Sequence, residues 1–159
     1  MNMQARPVHS LLATAMGIAL SCAGAASLAD APQAVVITTQ VVFNPDTSGT
    51  FVATGPICST GTVSLVSDAF GEGPAAFNVN AVQRFTCDDN SGSFDIRLHP
   101  QFNSRPKDGF DANGPWSVWG KGTGAYRRLG GHGEFGVVLD ENSNPLKGTE
   151  TYVGFVTLQ

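Results

Sequence analysis

Charge is scarce in this chain. Only 14% of the 159 residues are Asp, Glu, Lys or Arg, and the balance at pH 7 is -4. A general nucleic-acid binder needs a basic excess to displace counterions from phosphates, so no nucleic-acid partner is expected. Cysteine and histidine are scarcer, at three each. Neither C-x-x-C nor H-x-x-x-H spacing occurs. Nothing therefore marks a metal site, and no cofactor is expected. A G-x-S-x-G nucleophile elbow is missing as well, which argues against a secreted hydrolase. There is no heptad, collagen period or low-complexity tract, so fibrous and disordered classes are excluded.

Long apolar runs are nearly absent too. The one present is Leu11–Cys22, preceded by Arg6 and followed by the small-x-small exit Ser27-Leu28-Ala29. A basic start, a short apolar stretch and small residues at the exit describe a secretory signal peptide. The competing reading is an N-terminal amphipathic helix of the fold. At roughly a dozen residues the run is too short to span a bilayer. The preferred cleavage follows Ala29, giving residues 1–29 as leader and 30–159 as a secreted or periplasmic domain without a membrane span. Ala19-Leu20-Ser21-Cys22 approaches a lipoprotein box. It has Ala where Leu is wanted three residues before Cys22, so lipid anchoring there is not expected.

Cys22 falls in the leader, which leaves Cys58 and Cys87. In an oxidising compartment two such cysteines bond, and the closed loop is worth about 3–4 kcal/mol on the chain-entropy model. Two buried free thiols are the alternative.

What is abundant is glycine, at 19 residues, and phenylalanine, at 10. Val35–Phe43 is β-branched almost throughout and ends in the dense turn signal Asn44–Gly49. Thr50–Thr54, Thr62–Phe70 and Phe77–Cys87 follow as strands, closed in turn by Gly55-Pro56, by Gly71-Glu72-Gly73-Pro74 and by Asp88–Gly92. Ser93–His99 alternates cleanly, with Phe94, Ile96 and Leu98 on one face and Asp95, Arg97 and His99 on the other. Pro100–Gly114 reads as a long polar connection over a barrel mouth. Pro115–Lys121, Gly131–Leu139 and Gly148–Leu158 complete the set. Trp116 and Trp119 fall on opposite faces of their strand. The only helix-like stretch after the leader is Gly124–Leu129. The pattern predicts an all-β domain, a closed antiparallel barrel of about eight strands, because glycine inside the later strands supplies the bends that closure needs.

Gly114-Pro115-Trp116-Ser117-Val118-Trp119-Gly120-Lys121-Gly122-Thr123-Gly124-Ala125-Tyr126 and the continuation Arg127-Arg128-Leu129-Gly130-Gly131-His132-Gly133-Glu134-Phe135 form the most distinctive segment. It resembles the allene oxide cyclase barrel superfamily, which includes the dirigent proteins and small bacterial relatives of unassigned function. Thr50–Gly55, Gly61-Thr62-Val63 and Asn90–Leu98 resemble earlier strands of those relatives. The resemblance implies a barrel whose lumen is a shaped, largely apolar container. No catalytic residue carries over, because no matched catalytic motif is present. The glycines of the block turn the chain sharply, with Tyr126 and Leu129 expected to plug the barrel end. A phosphate loop is the alternative, but G-T-G-A-Y lacks the Lys-Ser/Thr pair.

The polar candidates are few. If Phe94, Ile96 and Leu98 pack outward, then Asp95, Arg97 and His99 line the lumen; if they pack inward, the polar triplet is solvated. Glu134 is either a lone lumen carboxylate or an exposed strand residue. Arg97, His99 and Glu134 are the expected lumen-lining, ligand-binding set. Apolar residues on both faces of the last strand, Val153 and Phe155 against Tyr152 and Val156, raise a homo-oligomer. The functional expectation is an exported barrel that binds a small apolar ligand or a protein partner. The alternative is a cofactor-independent cyclase or isomerase of the allene oxide cyclase type.

Overall fold

The structure is a computed structural model and describes residues 31–43, 46–71, 78–107 and 110–159. The leader, its boundary at residue 29, Cys22, and Phe77 with its preceding turn lie outside the described residues.

The strands are β1 (Gln33–Val42), β2 (Ser48–Thr54), β3 (Thr60–Gly71), β4 (Asn78–Cys87), β5 (Ser93–Leu98), β6 (Gln101–Lys107), β7 (Phe110–Trp119), β8 (Gly130–Asp140) and β9 (Lys147–Thr157). A 3-10 turn, Gly124–Tyr126, sits between β7 and β8. Every pairing is antiparallel: β1 with β2 and β9, β3 with β2 and β4, β5 with β4 and β7, and β8 with β7 and β9. Those pairings close a ring of eight, as the alternation and turn spacing predict. Closure leaves no open edge along the ring.

The ninth strand is a continuation rather than a ninth position in the ring. β6 follows β5 between β4 and β7, meeting β4 only at Asn78↔Gln101. The break falls at His99-Pro100, where proline has no N–H to give the ladder. Its carbonyl still accepts from the Val79 N–H at 3.3 Å, while His99 N–H donates to the Pro115 carbonyl at 3.1 Å. This corrects the expectation of a long polar connection over residues 100–114. Most of that segment is β6 and the first half of β7, and Ala112, Asn113 and Gly114 pair with Val137, Gly136 and Phe135 of β8. Proline, glycine and polar residues there suit a barrel rim as well as they suit a loop, so composition alone did not separate the two.

Alternation then sorts the side chains. Val35, Ile37, Thr39 and Val41 of β1 are buried, as are Phe94, Ile96 and Leu98 of β5 and Glu150, Tyr152 and Val156 of β9. The lumen is thus the core. One half of it is solid. Phe85 stacks on Phe94 with ring centres 5.2 Å apart, and meets Phe51 and Tyr152 edge-on at 5.3 and 5.6 Å. Trp116 is 2% exposed. Its indole lies over two glycines, since a Cβ on Gly133 would come 2.7 Å from Trp116 Nε1 and one on Gly154 2.7 Å from Cζ2. Trp116 Nε1 donates to the Val153 carbonyl at 3.3 Å.

The end of the barrel beyond this half is shut. Tyr126 and Leu129 are 4% and 7% exposed, which is the plug the sequence predicts. The Cys58 N–H donates to the Tyr126 hydroxyl at 2.9 Å, and Tyr126 packs edge-on against Phe94. Cys58 and Cys87 form a disulfide beside it, with Cα atoms 5.9 Å apart.

Candidate functional site

The other half of the lumen is hollow. A cavity of about 280 Å³ opens at the end carrying the β1–β2 and β8–β9 turns. Val79, Ala81, Leu98, Ala112, Phe135 and Val137 supply its walls, and Phe43, Pro100, Phe102 and Leu146 stand nearer the mouth. Small residues make the space. Ala81 and Ala112 occupy inward positions which, deeper in the barrel, go to Phe85 and Trp116.

Glu150 and Gln83 also line this cavity, and they form its floor. Glu150 lies on β9 directly opposite Thr39 of β1. The Thr39 hydroxyl donates to Glu150 Oε2 at 2.7 Å. Gln83 belongs to β4, four positions around the ring from β9. Its Nε2 donates to Glu150 Oε1 at 2.9 Å, so the hydrogen bond crosses the lumen. Tyr152 completes the tie. Its hydroxyl lies 2.6 Å from Gln83 Oε1 and 3.0 Å from Glu150 Oε2, with the phenol as donor. Phe85, Phe135 and Trp116 pack edge-on around the Tyr152 ring. These four side chains form a polar bulkhead between the solid and hollow halves.

Burial decides the electrostatics of the bulkhead. Glu150 is 2% exposed. Loss of water pushes its carboxyl above the ordinary glutamate range, against the opposing pull of the hydrogen bonds from Gln83, Thr39 and Tyr152. Tyr152 is pushed well above the usual phenol value by burial and by the neighbouring carboxyl. The phenol has one proton and two acceptors within reach. Burial thus pulls Glu150 toward its protonated form, while the donors around it favour the carboxylate.

The residues expected to line the lumen stand elsewhere. Phe94, Ile96 and Leu98 face inward, so Arg97 and His99 share the outer face of β5, and His99 is exposed. The Arg97 guanidinium lies over the Trp119 ring, 2.9 Å from its centre, and Trp119 is 44% exposed. Asp95 on the same face pairs with Arg84 at 2.8 Å. Glu134 is exposed, because Phe135 and Val137 take the inward positions of β8. None of the three reaches the cavity, and the structure brings none of them together. The lumen carboxylate is Glu150. A lone glutamate between threonines reads as a solvated strand residue, and this hid it. The available signal was parity: Glu150 shares a face with Tyr152 and Val156, and Thr149 and Thr151 take the other.

On the outer face, Val36, Val153 and Phe155 are 39%, 52% and 53% exposed. Among the described residues no group of three or more His, Cys, Asp or Glu converges to hold a metal ion. No helix among them is long and apolar enough to cross a membrane. Comparison with family models, with curated proteins and with solved structures gave no match.

Proposed function

We propose that the protein is an exported barrel that holds a small, mostly apolar molecule in the hollow half of its lumen. The observation that carries this reading is the open-ended cavity of about 280 Å³, apolar on its walls and polar only at its floor and rim. Ligand sites pair apolar walls with a few placed polar groups. A dry apolar cavity of about 150 Å³ already takes benzene, so this one has room for a fused bicyclic molecule. The Cys58–Cys87 disulfide supports an oxidising compartment. The likeness of the Gly114–Phe135 segment to allene oxide cyclase-type barrels supports the same picture of a lumen used as a container.

The test is calorimetric titration with naphthalene of the wild type and of Ala112→Leu, which fills the cavity from its wall. Saturable one-site binding by the wild type, lost in a variant whose thermal midpoint stays within a few degrees, is the expected result. No binding, or equal binding by both, overturns the reading.

One observation favours the cyclase or isomerase alternative. Glu150 is a buried carboxyl that burial pushes toward its protonated form at the floor of an apolar cavity, and such a group can protonate or polarise a bound epoxide or ketone. Under that reading Glu150 is the acid, and Glu150→Gln keeps naphthalene binding while abolishing turnover of an unstable epoxide.

A further inference from the structure

We infer that the lumen selects a lipophilic amine, held with its ammonium group against Glu150 and its apolar body between Ala81, Ala112 and Val137. The inference rests on the reading of the lumen as a container and names the ligand class that container prefers.

Charge makes the first cut. Among the described residues lining the cavity, the only ionisable side chains are Glu150 at the floor and Asp68 near the mouth. Both are acids, and no Lys, Arg or His offsets them there. An anionic head group therefore meets a buried carboxyl and a second acid, with no cation to receive it.

Hydrogen-bond capacity makes the second cut. Every partner of Glu150 donates to it: Thr39 and Tyr152 reach Oε2, while Gln83 alone reaches Oε1. Oε1 thus retains an acceptor site, and Glu150 lines the cavity. A ligand engaging the floor at this oxygen must donate. Hydroxyl and ammonium groups both can, but a charge-assisted bond is shorter and roughly twice as strong.

Energetics make the third cut. Thr39 and Gln83 already donate one bond to each carboxyl oxygen, and the Tyr152 proton, shared with Gln83 Oε1, lies within reach of Oε2, so forming the anion needs no new donor. What the anion lacks is a counter-charge. A protonated amine supplies it, leaving Glu150 ionised and paired within the lumen. Thr39, Gln83 and Tyr152, which surround the group from β1, β4 and β9, bring no charge of their own at neutral pH.

The test is a panel of one shape and three head groups. 1-Naphthylmethylamine, 1-naphthylmethanol and 1-naphthoate are titrated into the wild-type protein at pH 7, with naphthalene as the uncharged reference. The expected order is amine over alcohol by about tenfold or more, with no measurable binding of the carboxylate. In Glu150→Gln the amine falls to the level of the alcohol while naphthalene still binds. Naphthalene binding with an amine no tighter than the alcohol overturns this inference and leaves the container reading intact. Naphthoate binding as tightly as the amine overturns it as well. Failure of all four to bind overturns the container reading itself.

Discussion

The two halves of the lumen share the same eight-membered wall yet have opposite contents. In the closed half, Phe51, Phe85, Phe94, Trp116 and Tyr126 fill the space with ring on ring. In the open half, Ala81, Ala112, Val79 and Val137 face one another across about 280 Å³. The wall does not set the difference, because strand pairing runs through both. Side-chain size at alternate positions sets it: β4 carries Val79 and Ala81 at one end and Phe85 at the other, and β7 carries Ala112 and then Trp116. An eight-stranded barrel is wide enough to be filled or to hold one small ligand, and this one is filled in one half and hollow in the other. The solid half is built for stability, and the proposed binding falls to the hollow half. Thr39, Gln83, Glu150 and Tyr152 mark the boundary.

The largest expected effect breaks the solid half. Phe85→Ala removes a fully buried ring from a sealed core and is expected to cost about 3–5 kcal/mol in denaturant unfolding. Val137→Ala only widens space that is already open, and is expected to cost no more than about 1 kcal/mol. Equal losses at the two sites would erase the distinction. Next comes the plug. Reducing the disulfide, or replacing Cys58 and Cys87 together by Ser, is expected to cost about 2–5 kcal/mol while naphthalene affinity at the far end stays unchanged. A parallel loss of affinity would show that the halves are not independent. Gly154→Ala places a methyl against the His132 carbonyl of β8 and against Trp116, whose Cζ2 would lie 2.7 Å away. Overpacking there is expected to cost about 1–3 kcal/mol in the same assay, and a neutral result would mean that both the β8 backbone and the indole have room to move.

The smallest effect sharpens the boundary. Burial holds the Glu150 carboxyl above its ordinary range, so the folded protein keeps a proton that the unfolded chain releases. Between the ordinary glutamate range and the raised value the native state binds more protons, and stability falls as pH rises. The slope is at most about 1.4 kcal/mol per pH unit. Glu150→Gln is expected to flatten it in denaturation series taken at stepped pH. A wild-type slope no steeper than the variant's would mean that Glu150 titrates as an exposed glutamate does.

Much of the architecture was legible in the residues. Alternation in Ser93–His99, the β-branched run of Val35–Phe43 and the Gly, Pro and Asn turns gave the barrel and most strand positions. The two-cysteine count gave the disulfide, and Tyr126 with Leu129 gave the plug. The rim was not legible, because Pro100, Pro106 and Gly114 look like loop residues wherever they stand. The site was less so. Which face of β5 points inward depends on closure, which fixes Phe94 inside and Arg97 outside. Glu150 is recognisable only once β9 is seen opposite β4, since its partner Gln83 lies 67 residues away in sequence.

The most direct test of the central claim is a methyl-labelled alanine spectrum recorded through a naphthalene titration. Ala81 and Ala112 line the cavity, whereas Ala34 and Ala125 are exposed well away from it. The account predicts that the Ala81 and Ala112 methyls shift in saturable fashion and show contacts to the naphthalene ring, while Ala34 and Ala125 hold still. Shifts at Ala34 with none at Ala81 and Ala112 would place the ligand on the outer wall and contradict the account.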